Sequence, residues 1–352
     1  MGIVFIGLCV GSFLNVCIYR VPRGLSVNNP RRSFCPHCKT QLPAWQNFPV
    51  LTWLMQAGKC KSCKAPIAAR YLLVEVLTGA LYFACWKFFP MGGAMLAIAL
   101  VTILVVITFI DAEHQLIPIT WTTVGALLAI VASLFTSDLL DLMEKSKGFP
   151  GALIGWVAGF GSLWAVVLFG KIAFGKKRLC FDASLPWEVI EGYQNDPQIH
   201  FILDGDPYSW DDLFYRDSDE LQIRGGEFKV DGKKVSGKEL MLHREYFKIG
   251  EREWEIEKLK SLDGVAEEVV IPREAMGSGD PHLLGMIGAF LGWQAVLFTI
   301  LVSCFYAIFA ALVTRVGFGK PLPYGPFLAL GALTWAFGGW NWWLAYFEAL
   351  QP

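Results

Sequence analysis

The chain has 352 residues, of which 54% are hydrophobic and 17% charged, with a mean hydropathy of +0.44 and a formal net charge of −1. Because soluble globular proteins carry about 25% charged residues, this composition argues against a soluble protein and predicts a membrane protein. The net charge carries no information about nucleic acid until the charges are placed along the chain.

Apolar runs recur at lengths near the roughly 20 residues that a helix needs to cross hydrocarbon. They cover 2–19, 71–89, 94–110, 119–136, 150–169, 294–313 and 324–347, with a shorter segment at 282–293. Since helices satisfy their own backbone in a bilayer, we predict an all-α polytopic membrane protein with about eight transmembrane helices. The first run has no basic stretch before it and no cleavage site after it, so we expect a retained helix rather than a signal peptide.

The segment 20–70 sets the orientation, because it holds nine lysines and arginines and no acidic residue. Such an excess of basic residues predicts a cytoplasmic loop. Alternating crossings then place Asp111 at the cytoplasmic end of its helix and the region 170–281 inside, with both termini outside if 282–293 is a full crossing. Asp111 and Asp280 would therefore emerge on the same membrane face.

Two CxxC pairs, Cys35/Cys38 and Cys60/Cys63, stand within this loop, with 21 residues between them. The spacing matches a tetrahedral four-thiolate zinc site, whose closed ligand set indicates a structural role. The alternative is four free thiols in a reducing cytoplasm. We predict structural Zn2+ at this site.

The region 171–271 differs from the rest because it is polar and mildly acidic. Alternating patterns at 220–224 and 227–231 predict a hairpin, and 245–249 and 253–257 read as two further strands. We therefore predict a β-rich soluble module inserted between two membrane helices, and its acidic balance argues against nucleic-acid binding. The predicted organisation is a first transmembrane helix at 1–19, a cytoplasmic zinc-binding loop at 20–70, transmembrane helices with the first aspartate at 71–169, the inserted cytoplasmic module at 170–275, and the second aspartate with the C-terminal helices at 276–352.

The candidate chemistry lies in two aspartates at the ends of apolar runs. Asp280 follows the turn Gly277-Ser278-Gly279, whose glycines let backbone approach a substrate closely. A carboxylate beside hydrocarbon is costly and is read as functional by default. Two carboxylates held close share a proton, so one can activate water while the other polarises a scissile carbonyl.

Two other interpretations of these aspartates stay open at this point. Each aspartate alone could be a helix-end carboxylate in water, and the pair could be a proton relay in a transporter. No GxSxG or HExxH pattern competes with them as a catalytic set. The leading interpretation is an intramembrane aspartyl peptidase that acts through Asp111 and Asp280.

Several motifs together resemble the bacterial type IV prepilin peptidases, which are aspartic proteases of the GxGD group. The resemblance covers about 1–136 and 272–347, and it leaves out the insert. The motifs that carry it are Gly11-Ser12-Phe13-Leu14-Asn15-Val16, the double CxxC, Arg70-Tyr71 with Glu75, Phe109-Ile110-Asp111-Ala112-Glu113-His114, Met276-Gly277-Ser278-Gly279-Asp280, and Tyr324-Gly325-Pro326-Phe327.

The resemblance implies a multi-pass enzyme of the bacterial inner membrane that cleaves the leader of type IV prepilins or pseudopilins at the cytoplasmic face. It implies Asp111 and Asp280 as the catalytic pair, and N-methylation of the new N-terminus with S-adenosylmethionine as a second activity. Supporting roles fall to Gly277, Gly279 and His282, where His282 replaces the family's usual lysine. Candidates for the methyl-donor site are Gly11, Asn15 and Glu75.

Prepilin or pseudopilin substrates and membrane lipid are the expected partners, and no nucleic acid is expected. The alternative functions are a proton-coupled transporter and a non-catalytic assembly scaffold that use the same aspartates. The sequence does not predict the role of the insert or an oligomeric state.

Overall fold

The computed structural model describes residues 2–30, 32–35, 37–43, 48–135, 148–174, 176–193, 196–214, 219–225, 227–256, 259, 261–272, 277–314 and 322–349. The chain separates into two compact units. The first unit, here called the membrane body, comprises 1–165 and 277–352, and the second, the inserted module, comprises Val166–Met276. Each unit is described by itself.

Apart from the short helices α2 and α7, the helices coincide with the apolar runs of the sequence. In chain order they are α1 (Gly2–Arg20), the short α2 (Leu51–Met55), α3 (Arg70–Phe88), α4 (Met91–His114), α5 (Ile119–Ala132), α6 (Gly148–Phe174), α7 (Trp210–Leu213), α8 (Gly279–Leu291), α9 (Trp293–Thr314), α10 (Gly325–Thr334) and α11 (Trp340–Ala349). A π-helical turn, Trp335–Gly339, joins α10 to α11.

Five helices are long and apolar enough to cross a membrane within the described ranges: α1, α3, α4, α6 and α9. Three of the eight predicted crossings are shorter. Helix α5 has 14 residues, α8 has 13, and the last run is divided by the π-helical turn. The structure thus supports a polytopic membrane protein, and the count of eight crossings stays a prediction.

Glycine permits close contact between α6 and α8. A Cβ atom added to Gly155 would lie 2.0 Å from the carbonyl oxygen of Gly288, and one added to Gly159 would lie 2.3 Å from that of Leu284. Small residues at such positions let membrane helices pack backbone to backbone. This packing fixes α8, the helix that begins at the second aspartate motif.

Close packing at glycine also joins α1 to α3. A Cβ atom on Gly7 would lie 2.8 Å from the Cα of Gly79, and one on Gly11 would lie 2.8 Å from the Cα of Glu75. A cluster of fully buried side chains, which includes Leu14, Ile18 and Ile110, continues this contact towards α4. Helix α4 is consequently held among apolar neighbours up to its last turn.

The inserted module is built on one antiparallel sheet. Its strands are β1 (Lys176–Tyr193), β2 (Asp196–Leu203), β3 (Asp206–Ser209), β4 (Leu221–Arg224), β5 (Phe228–Val230), β6 (Lys233–Val235), β7 (Glu239–Leu242), β8 (Tyr246–Ile249), β9 (Arg252–Glu255) and β10 (Leu262–Pro272). Neighbouring strands follow the order β3-β2-β1-β10-β4-β7-β8-β9, while β5 pairs with β10 and β6. Alternate residues of these strands, with Phe201, Phe228 and Phe247 among them, form an apolar core together with Phe214, which follows α7.

The predicted hairpin between 220–224 and 227–231 is wrong. Strand β4 pairs with β7 and β10, whereas β5 pairs with β6 and with a different part of β10. Strand β10 has 11 residues, so it is long enough to bond both short strands one after the other. Gly225, with a φ of 73°, redirects the chain after β4. The predicted strands around 246–249 and 253–255 do form an antiparallel pair, β8 with β9.

Candidate active site

Asp111 lies in the last turn of α4 and is only 5% exposed. Its Oδ2 accepts a hydrogen bond of 2.9 Å from the backbone N–H of Gly325, the first residue of α10. The first N–H groups of a helix have no partner inside the helix and carry its partial positive charge. The start of α10 therefore holds the Asp111 carboxylate in one orientation.

Glycine is required at 325 for this contact. A Cβ atom there would lie 2.8 Å from the Oδ2 of Asp111, closer than a carbon and an oxygen approach without displacement. Pro326 follows, and its ring suits the first turn of a helix. The Gly-Pro pair thus combines a near approach to Asp111 with a firm helix start.

Asp280 lies in the first turn of α8 and is 6% exposed. Different contacts explain the two glycines that precede Asp280. A Cβ atom on Gly279 would lie 2.5 Å from the Cβ of Ile117, and one on Gly277 would lie 3.4 Å from the Oδ2 of Asp280. Gly279 thus lets the turn approach the segment that follows α4, while Gly277 leaves open space beside the carboxylate.

The two aspartates come from distant parts of the sequence to one place. Helix α4 contacts both α8 and α10, and Gly279, next to Asp280, packs against Ile117, which follows Asp111 by six residues. Among the described residues, the Oδ1 of Asp280 is buried and lacks a hydrogen-bond partner. A buried polar atom without a partner is costly, and here it belongs to a group that is suited to bind water or substrate.

His282 lies two residues after Asp280 and is half-buried. Its ring meets Phe160 of α6 edge to face, with 5.0 Å between the ring centres. The structure thus places His282 against an aromatic side chain. Its supporting role in catalysis stays a prediction.

The four loop cysteines converge as the sequence predicted. The sulfur atoms of Cys35, Cys38, Cys60 and Cys63 all lie within 4.8 Å of one another. The Sγ atoms of Cys35 and Cys63 are 3.8 Å apart, which is about the edge length of a tetrahedron with Zn–S bonds of about 2.3 Å. The arrangement fits a single four-coordinate metal ion.

The two CxxC pairs have the same backbone structure. The N–H of Cys35 donates to Thr40 and that of Lys39 to Cys35, and the second pair repeats this with Cys60, Ala65 and Lys64. Lys39 and Lys64 both have positive φ, 57° and 60°. The loop therefore contains two copies of one knuckle.

The protonation of the thiols also suits a metal. A hydrogen bond from the Thr40 hydroxyl lowers the pKa of Cys38 to about 6, and the backbone N–H groups of Cys63 and Ser62 lower the pKa of Cys60. Cys63 differs, because desolvation and the neighbouring sulfurs raise its pKa to about 11 despite the Ala65 N–H. Four thiolates repel one another unless a cation lies between them, which a metal ion would supply.

A cavity of about 470 Å³ opens between α1, α3 and the knuckle loop. Its wall includes two of the three methyl-donor candidates, Asn15 and Glu75, while Gly11 lies in the contact between α1 and α3. The Glu75 carboxylate accepts the Val50 N–H at 2.7 Å, and the Asn15 amide donates to the carbonyl of Tyr71 at 3.0 Å. These bonds fix the loop and both helices around one concave space.

Sequence reasoning missed the roles of two positions. Gly325 was visible as a motif without a role, and the Gly-Pro helix start was the available signal. Arg20 is one of the nine basic residues that predict the orientation of the loop, but it is 3% exposed. Its guanidinium donates to the carbonyl oxygens of Ser26, Val27, Pro30 and Arg32, so it organises the start of the loop.

Two family models match parts of this chain. The family model described as the Bacterial Peptidase A24 N-terminal domain matches residues 5–89, and the model of the Type IV leader peptidase family matches residues 262–312, which include Asp280. No solved structure matches.

The curated relatives share one printed name, prepilin leader peptidase/N-methyltransferase. The relative from Dichelobacter nodosus is 36% identical over 207 residues, 50% of this chain and 70% of that protein. The one from Myxococcus xanthus is 39% identical over 197 residues, and the chain covers 56% of that protein's length. The one from Aeromonas hydrophila is 27% identical over 371 residues, 97% of this chain and 92% of that protein. The chain belongs to the type IV leader peptidase family and is an enzyme of that family.

Proposed function

We propose that this enzyme cleaves the leader of type IV prepilins or pseudopilins by aspartic catalysis at the cytoplasmic face of the bacterial inner membrane. The observation that carries the proposal is the convergence of the segments that hold Asp111 and Asp280, two buried carboxyl groups 169 residues apart in the sequence. The family's curated relatives supply the substrate class. The basic loop 20–70 supports the orientation.

In this proposal each carboxyl group has a separate role. Asp111 accepts the Gly325 N–H, a bond that favours the ionised form, so Asp111 is the base. It removes a proton from a water molecule that attacks the scissile carbonyl carbon. Asp280 carries the shared proton and donates a hydrogen bond to the carbonyl oxygen. When the tetrahedral intermediate collapses, a proton passes to the leaving amine and the C–N bond breaks.

The four cysteines hold structural Zn2+ in this proposal. The sulfur spacing and the lowered pKa values of Cys38 and Cys60 support the assignment. With four protein ligands, the ion would cross-link the two knuckles and leave no open position for chemistry. The loop would then keep its shape beside α1 and α3.

The cavity beside this loop is the proposed site of S-adenosylmethionine. Its volume suits one drug-sized ligand, and Asn15 and Glu75 place polar atoms on its wall. The donor would supply the methyl group for the amine that cleavage exposes, while the chain's residues bind and orient it. Gly11 contributes by allowing α1 and α3 to approach.

The test is cleavage of a purified prepilin by the full chain in detergent, with Asp111→Asn and Asp280→Asn as variants. Each variant keeps the side-chain shape and is expected to lower the cleavage rate by about 10³-fold, since it removes acid–base catalysis. Asp263→Asn in the inserted module is the matched control and should cleave like the wild type. Persistent cleavage by either site variant would refute the assignment of Asp111 and Asp280 as the catalytic pair. Proton-coupled flux without cleavage would favour a transporter.

A further inference from the structure

We infer that the cavity recognises its ligand by an α-amino-acid group, and that Asn15, Trp53 and Arg70 determine this specificity. The inference rests on the proposed methyl-donor site and names the part of the donor that the protein reads. Three buried atoms of the cavity-lining residues carry it: Asn15 Oδ1, Trp53 Nε1 and Arg70 Nε, which have no hydrogen-bond partner among the described residues.

These three atoms form a complementary set. Arg70 Nε and Trp53 Nε1 are donors, and Asn15 Oδ1 is an acceptor. An α-amino acid at neutral pH carries a carboxylate, which accepts two N–H bonds, and an ammonium group, which donates to an amide oxygen. The Glu75 carboxylate on the same wall adds a negative charge for the ammonium group. Leaving such groups unpaired costs free energy that a fitting ligand recovers.

Each side chain is fixed by a contact through another atom, and its unpaired atom stays buried. The other end of the Asn15 amide donates to the carbonyl of Tyr71 at 3.0 Å, and Asn15 is 2% exposed. The Nη1 of Arg70 is ion-paired with the Oε2 of Glu113, which orients the guanidinium. The Trp53 indole lies against Gly58, where a Cβ atom would be 2.9 Å from Cζ2.

Part of the remaining wall is aromatic. Tyr19, Phe34 and Phe48 also line the cavity, and aromatic faces of this kind suit a flat heterocycle such as adenine. The cavity therefore has groups for both ends of S-adenosylmethionine. The amino-acid end is the one that the unpaired atoms specify.

The experiment compares two ligands that share adenosine and sulfur but differ in the amino-acid group. S-adenosylhomocysteine carries this group and 5′-methylthioadenosine lacks it. Calorimetric binding to the full chain in detergent should show at least about 10²-fold tighter binding of S-adenosylhomocysteine, because the analogue leaves the polar groups unpaired. Trp53→Phe removes the indole N–H, and Asn15→Ala removes the amide. Each variant should weaken the binding of S-adenosylhomocysteine by about tenfold and leave the binding of 5′-methylthioadenosine unchanged.

Trp86→Phe, at an exposed tryptophan on α3 outside the cavity wall, is the control and should bind like the wild type. Equal affinity for both ligands, or equal weakening of both by Trp53→Phe, would overturn the inference while the proposed methyl-donor site stands. Binding of neither ligand by a wild-type preparation that cleaves prepilin would refute the methyl-donor site itself, and the inference with it.

Discussion

The membrane body and the inserted module bury different kinds of side chain. In the described part of the module, the buried polar residues are His200 and Asp219, and its core consists of aromatic and aliphatic side chains. The membrane body instead buries Asn15, Arg20, Glu75, Asp111 and Asp280. Burying a charged group is costly unless it is paired, so the two units differ in how much stability they give up for chemistry.

The partners of these buried groups divide the membrane body further. Arg20 is fully engaged with loop carbonyls, whereas Asp280 and Asn15 each keep one buried oxygen without a partner. A satisfied group supports the fold, and an unsatisfied one is a place for a ligand or a reacting atom. The comparison therefore separates structural from functional polar groups.

The largest expected effect is on the knuckle loop, which the proposed zinc ion would cross-link. Removing zinc with a chelator should cost the folded loop an apparent binding free energy of about 10–16 kcal/mol and expose the loop to protease. Zinc analysis and limited proteolysis measure this. Cys38→Ser with Cys63→Ser should lose the metal, and Cys180→Ser, an exposed cysteine of the module, should keep it. A double variant with full zinc content would contradict the assignment.

In the module, Phe201→Ala tests the apolar core. Phe201 is fully buried and stacks near Trp187, with 5.9 Å between the ring centres. Its truncation should lower the free energy of unfolding of the module by about 3–5 kcal/mol. Hydrogen exchange of the strands β1 and β2 measures the loss. A change below about 1 kcal/mol would show that this core is not packed as described.

In the membrane body, Gly325→Ala tests the support of Asp111. The added methyl group lies 2.8 Å from Oδ2, so the carboxylate must move and cleavage should fall by about 10²-fold. Gly161→Ala is the matched control, since a Cβ atom there meets nothing within 4 Å. Cleavage rates of both variants, measured beside their zinc content, check the effect. Equal cleavage rates for the two variants would show that Gly325 does not support Asp111.

The smallest expected effect comes from a satisfied polar contact between α3 and α4. Tyr82 and Thr102 share a hydrogen bond of 2.8 Å between their hydroxyl groups. A double-mutant cycle of Tyr82→Phe and Thr102→Val should give a coupling free energy of about 0.6 kcal/mol, measured by unfolding in detergent. A coupling above about 2 kcal/mol would place this pair outside the range of structural contacts in membrane helices.

The sequence was sufficient for those features that have a local cause. Apolar length located the helices, and CxxC spacing located the four cysteines, because each pattern follows directly from its physical requirement. The division of the last run was missed, although Gly338, with a φ of 132°, and Gly339 mark the point where the helix turns. The separate pairing of β4 and of β5 with β10 was missed, because it depends on the length of β10, which lies more than 30 residues further along the chain.

The sequence predicted which residues belong to the candidate site, but it did not predict how they are arranged in space. The cost of burying Asp111 and Asp280 singled them out, but nothing local linked Gly325 to Asp111, since 214 positions separate them. Asn15 was named as a candidate, whereas Trp53 and Arg70 gained meaning only when the structure showed that both line one cavity and carry a buried unpaired atom.

The central claim is that one membrane body holds two separate sites, the aspartate pair and the cavity beside the knuckle loop. The direct test assays cleavage of a prepilin and methylation of a peptide that begins at the cleavage point, for Asp280→Asn and Trp53→Phe in parallel. We expect Asp280→Asn to methylate this peptide without cleaving the prepilin, and Trp53→Phe to cleave normally while its methylation at limiting donor falls about tenfold. Loss of both activities in both variants, with zinc bound, would contradict the account.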